Sequence, residues 1–135
     1  MFAKFNGNAL FCHAERIDDP CILDLAFILD ASGSIKNDWK NVQNFVAGVV
    51  KLVNVSSTGT HVAAIKFGSE SNIEFDFNEG QDKDAVISRV LSLAPPITSD
   101  NTQLHKALND TNDKLFDAVN NNRGFRTDES VRKVR

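Results

Sequence analysis

Asp30, Ser32 and Ser34 stand at alternate positions near the end of the stretch Leu23–Ile35, which reads LDLAFILDASGSI. Ala31 and Gly33 separate them, so three hard oxygen ligands can converge on one point. A set with neither imidazole nor thiolate favours Mg²⁺, Mn²⁺ or Ca²⁺ over zinc or copper. The same residues also suit a plainer role, in which an Asp and two Ser end a strand and cap the helix that follows.

The elements around them decide what those residues can reach. Leu25–Leu29 is a continuous apolar run that stops at Asp30. It reads as a strand buried on both faces, over about Leu23 to Leu29. The polar cluster then lies at the strand's carboxyl end, where open α/β sheets bind ligands. A helix is expected from about Asn37 to Val53, with Trp39, Val42, Phe45, Val46, Val49, Val50 and Val53 on one stripe. Asn37 or Ser34 would cap it, and Trp39 and Phe45 are expected in the core. His61–Phe67 reads as a second strand. After a short turn, Ile73, Phe75 and Phe77 alternate with Glu74 and Asp76, as in a half-exposed strand. So short a turn makes these two strands antiparallel and puts the later one at a sheet edge.

Asp82 caps a second expected helix, Lys83 to Leu93, which Pro95-Pro96 closes. A loop at Ile97–Asn101 leads into a third helix, from Thr102 or Gln103 to Val119. Its inward residues would be Leu104, Ala107, Leu108, Leu115 and Phe116, and Asn120–Gly124 stops it. Residues 1–20 carry no clear period and read as a poorly ordered lead-in.

Composition narrows the partners. In 135 residues, 41% hydrophobic and 24% charged, there is material for one ordinary domain with a core. A net charge of −3 argues against nucleic acid or an anionic membrane surface as main partner. No stretch is long and apolar enough for a membrane span, and the first residues show no signal-peptide block. Secretion information is therefore expected to be missing from this chain, or the protein stays inside the cell. Cys12 and Cys21 are close enough in sequence to close a small disulfide loop, or to remain two free thiols. His13, His61 and His105 show no zinc spacing. Sequons occur at Asn54 and Asn109, relevant only in the secretory pathway.

Strand, D-x-S-x-S and amphipathic helix, in that order, resemble the opening of a von Willebrand factor type A domain. The resemblance extends from about Cys21 to Arg135. It implies an α/β, doubly wound, three-layer, Rossmann-like fold, of which the chain would hold the N-terminal half: three strands and three helices. Residues 21–135 would then be a partial domain, ending where Val131–Val134 approaches the family's next strand.

The resemblance also implies a metal-ion-dependent adhesion site. Ser32 and Ser34 would coordinate through their hydroxyls, Asp30 mainly through bound water, and Thr102, in TQLHKAL, from a second loop. Thr102 also suits a helix N-cap. Asp100 and Asn101 would tune the surroundings. The family's further Asp has no match: Asp128 follows no apolar strand, and Glu, not Gly, comes next. With that carboxylate missing, Mg²⁺ (or Mn²⁺ or Ca²⁺) is expected to bind weakly.

The function implied is a protein-binding module of an extracellular matrix or cell-adhesion protein that grips an acidic residue of a protein ligand. An intracellular scaffold module and a non-binding remnant stay open as alternatives. An enzyme is disfavoured. A haloacid dehalogenase-type phosphatase needs a second Asp where Ser32 stands, and no G-x-S-x-G frame surrounds either serine.

Overall fold

The computed structural model describes the backbone of residues 2–5 and the full residues 22–96, 102–117 and 123–127. Its sheet has four strands in the order β1 (Phe2–Phe5), β2 (Asp24–Asp30), β3 (His61–Phe67) and β4 (Ser71–Phe75). β2 and β3 are parallel, in register from Asp24↔His61 to Asp30↔Phe67. β4 returns antiparallel on β3 through a short turn and forms one edge, as its alternating pattern predicts.

The other edge differs from expectation. Phe2–Phe5 was expected to lie in a poorly ordered lead-in, but it pairs antiparallel with β2, from Phe2↔Ile28 to Phe5↔Leu25. Four residues are too few to show a period, so the sequence pattern missed them. β2 is nevertheless a row of backbone donors and acceptors that needs partners on both sides.

Helices cover both faces of the sheet. α1 (Trp39–Leu52) and α2 (Lys83–Ser92) pack over Leu25, Phe27 and Leu29 of β2 and Val62 and Ala64 of β3. On the other face, Ala107 of α3 (Leu104–Asp110) meets Ile28 and Phe67. Leu115 and Phe125 cover Ala26, Ala63 and Ile65. Successive strand residues point to opposite faces, so a strand buried on both carries a continuous apolar run. Leu25 to Ile28 are all 0% exposed. Each large side chain so buried contributes roughly 1.5–3 kcal/mol relative to an exposed one. This is the doubly wound, three-layer arrangement expected from the sequence. Among the described residues, no helix is long and apolar enough to cross a membrane.

Three helical details depart from expectation. The chain from Gly33 to Asp38 is a 3₁₀ turn, and α1 begins only at Trp39, so neither Asn37 nor Ser34 caps it. Phe45 is 54% exposed, not core. The buried stripe of α1 is Trp39, Gln43, Val46, Ala47 and Val50, and Phe45 precedes Val46 by about 100° of helical turn. α3 is short: its last turn widens into a π turn at Thr111–Leu115, and Phe116 N–H donates to Thr111 O. The Thr111 hydroxyl donates to Ala107 O at 2.6 Å, a back-bond that bends helices. α2 starts where expected, with the Asp82 carboxylate accepting from Ala85 N–H.

Candidate metal centre

The chain leaves β2 under tight backbone control. Ala31 N–H donates to Phe67 O at 2.7 Å, extending the β2–β3 ladder by one step. Asp30 then folds its carboxylate back on the loop, and Oδ1 accepts from Ser32 N–H at 2.8 Å. This is the local turn that Asp readily forms two residues before an N–H. Ile35 N–H donates to Ser32 O at 3.1 Å and starts the 3₁₀ turn. Trp39 anchors the far end of that turn, because its indole N–H donates to Leu93 O at 3.0 Å.

Within this frame Ser32 Oγ and Ser34 Oγ stand 3.0 Å apart. Adjacent ligands of an octahedral ion with ~2.1 Å bonds are separated by about 3.0 Å. Ser32 is 5% exposed and Ser34 is exposed, so the pair runs from the loop's interior to its rim. The donor set is hydroxyl-rich, with one carboxylate. No group of three or more His, Cys, Asp or Glu that could hold a metal occurs among the described residues. Hard, mostly neutral oxygens suit a dication that keeps part of its water.

Thr102 is exposed, next to Gln103, whose N–H donates to Gly68 O at 3.1 Å. That bond ties the Thr102 segment to the loop after β3, at the same end of the sheet as Asp30. Gln103, not Thr102, occupies the N-cap of α3. Asp100, Asn101, Asp128, Cys12, Cys21 and His13 lie outside the described residues. Asn54 is exposed in a loop, Asn109 is exposed within α3, and His105 is exposed on the same helix. An open groove of about 410 Å³ borders the centre at Ala31, between Lys66–Glu70 and Ala94–Pro96.

The family model for the von Willebrand factor type A domain matches residues 24–134. The chain belongs to the von Willebrand factor type A domain family. Mouse Matrilin-3 is 34% identical over 74 residues, 54% of this chain and 15% of that protein. Rat von Willebrand factor is 31% identical over 70 residues, 51% of this chain and 16% of that protein. The matched part is thus a small share of these relatives' length. The mussel byssus proximal thread matrix protein 1, solved with a zinc-occupied MIDAS motif, shares the fold. Its TM-score is 0.70 at 16% identity, covering 80% of this chain and 28% of that one.

Two polar constellations of this type A domain escaped the sequence reading. Gln43, buried on α1, donates through Nε2 to the carbonyls of Val90, Leu91 and Leu93 at 2.8–3.1 Å. Val90 O also accepts from Leu93 N–H at the helix end, and Gln43 adds a donor to it and to the Leu91 and Leu93 carbonyls, closing α2 from the side. At the amino end of β2, Asp24 is 1% exposed and accepts from Arg126 Nε at 2.9 Å, Nη2 at 2.6 Å and backbone N–H at 2.8 Å. Arg126 also donates to Gly59 O and Leu23 O. Gly124, at φ 76°, makes the turn that delivers this segment, and a Cβ there would meet Asn78. The signal for the first was a Gln on an otherwise apolar stripe. The second joins residues 102 apart and leaves no local signal.

Proposed function

We propose that this chain is a metal-dependent protein-binding module of the adhesion type, with the cation held by Asp30, Ser32 and Ser34 and with Thr102 completing the set. The observation that carries the reading is the 3.0 Å separation of the two serine hydroxyls beside the Asp30 carboxylate. When bound, a divalent cation would supply a positive point able to accept a carboxylate from a partner. Ser32 and Ser34 supply neutral oxygens, so the single charge of Asp30 leaves the cation undercompensated and disposed to take an acidic ligand. Mg²⁺ or Mn²⁺ suits that oxygen set, and the zinc in the related mussel protein's MIDAS motif makes zinc a competitor to test.

The relatives support a binding module rather than an enzyme, and an extracellular matrix setting for the parent protein. The partner class we assign is a matrix or cell-surface protein that presents a carboxylate. Titration calorimetry with Mg²⁺, Mn²⁺ and Zn²⁺, in the wild type and in Asp30→Ala, tests the assignment. A heat of binding in the wild type that Asp30→Ala abolishes supports it. Equal binding by both proteins, or none by the wild type at millimolar metal, contradicts it.

A further inference from the structure

The end of the sheet opposite the metal centre holds a buried histidine that the binding function does not use. His61 opens β3 and is 5% exposed. Its Nε2 lies 3.1 Å from the carbonyl of Ser57. A carbonyl only accepts, so Nε2 carries the hydrogen and the neutral ring leaves Nδ1 bare. That Nδ1 is buried and has no hydrogen-bond partner among the described residues, and it faces Asp24 Oδ1 across 3.9 Å. Asp24 is the carboxylate that fastens Arg126.

We propose that Asp24, His61 and Arg126 form an acid-sensitive latch, which holds residues 123–127 against the sheet at neutral pH and loosens them on acidification. A proton arriving at the ring has one vacant position, Nδ1, and there it meets the Asp24 carboxylate. The new cation shares an anion that Arg126 already holds through three donors. Two cations on one buried carboxylate repel each other at low local dielectric. The charged groups that act on the ring are Asp24 from β2 and Arg126 from the returning segment, beside the Ser57 and Gly124 backbones.

Burial is the main force that pushes the His61 pKa below its ordinary value, and Arg126 adds to it; the Ser57 hydrogen bond, Asp24 and Gly124 pull the other way. The ring is therefore neutral at pH 7 and charges only in acid. The latch controls more than itself. Arg123 O accepts from Phe77 N–H at 3.0 Å, and Phe125 packs edge-on against Phe116 at 5.1 Å between ring centres. Loosening the segment uncovers this aromatic cluster on the α3 side of the sheet.

Amide hydrogen exchange on the whole chain, expressed as protection factors to remove the intrinsic pH dependence, tests the latch. In the wild type, protection at the Phe77 and Arg126 amides should fall at least ~10-fold between pH 7.5 and pH 5.0, and in His61→Gln it should hold within ~2-fold. Equal falls in both proteins, or no fall in the wild type, overturn the proposal. Imidazole ¹⁵N shifts of the wild type give a reading that does not depend on the variant folding. Protonation of Nδ1 over the range in which protection is lost supports the latch, and a ring that stays neutral throughout overturns it.

Discussion

Asp24 and Asp30 open and close the same strand, and their surroundings separate a committed carboxylate from an open one. Asp24 is 1% exposed, and its two oxygens accept three hydrogen bonds from Arg126, a residue far along the chain. Asp30 is half-buried and accepts from Ser32 N–H, two residues away. Arg126 takes most of one carboxylate's acceptor capacity, while local turn chemistry leaves most of the other's open beside two hydroxyls. Residue type alone does not distinguish them; what differs is how many lone pairs the fold has committed.

Breaking the closed end should have the largest effect. Arg126→Ala leaves Asp24 buried and unpaired, and removing one partner of a buried ion pair typically costs about 3–5 kcal/mol. Urea melts should show that loss, and a change under ~1 kcal/mol would mean that water enters the Asp24 site freely. Gln43→Ala comes next. It removes one donor shared by three carbonyls at the end of α2. Val90 O keeps Leu93 N–H and Leu93 O keeps the Trp39 indole, so the loss falls mainly on Leu91 O, and an unsatisfied buried group costs about 1–3 kcal/mol. Exchange should rise in α2 before it rises in β2 or β3.

Acid should weaken the same closed end more gently. The His61 pKa is lowered in the fold, so the unfolded chain binds this proton first as pH falls. The stability it contributes is complete above its ordinary value near 6.5 and declines as pH falls toward the folded value. Glu79, lowered chiefly by its hydrogen bond with Arg89, and Asp110, lowered chiefly by Ser71, lose their contributions only below the ordinary carboxylate range. Of these three groups only His61 responds between pH 7.5 and pH 5, and His61→Gln should flatten the slope of thermal melts there.

The open end should respond least in stability and most in binding. Asp30→Ala removes one loop hydrogen bond from a half-buried side chain, for a loss of about 1 kcal/mol or less in metal-free melts. The metal response should vanish with it.

What sequence could reveal followed the range of each interaction. β3 was legible to the residue and β2 to within one, because a doubly buried strand carries an apolar run on both faces through its middle. The D-x-S-x-S loop was legible because its geometry is set within five residues. The position of Phe45 was not, because apolar spacing alone does not say which edge of a broad stripe on α1 meets the sheet, and Phe45 lies on the uncovered edge. β1 was not, because four residues borrow their order from the strand they pair with. The Asp24–Arg126 bond was not, because neither residue's neighbours announce a partner 102 positions away.

Paramagnetic broadening by Mn²⁺ tests the central contrast most directly. Substoichiometric Mn²⁺ added to the wild type should broaden the amide signals of Ala31, Ser32, Gly33 and Ser34 first, while those around Asp24 and Arg126 stay sharp. Broadening centred on Asp24, or spread evenly over the acidic surface, would contradict the assignment of the open carboxylate as the metal centre.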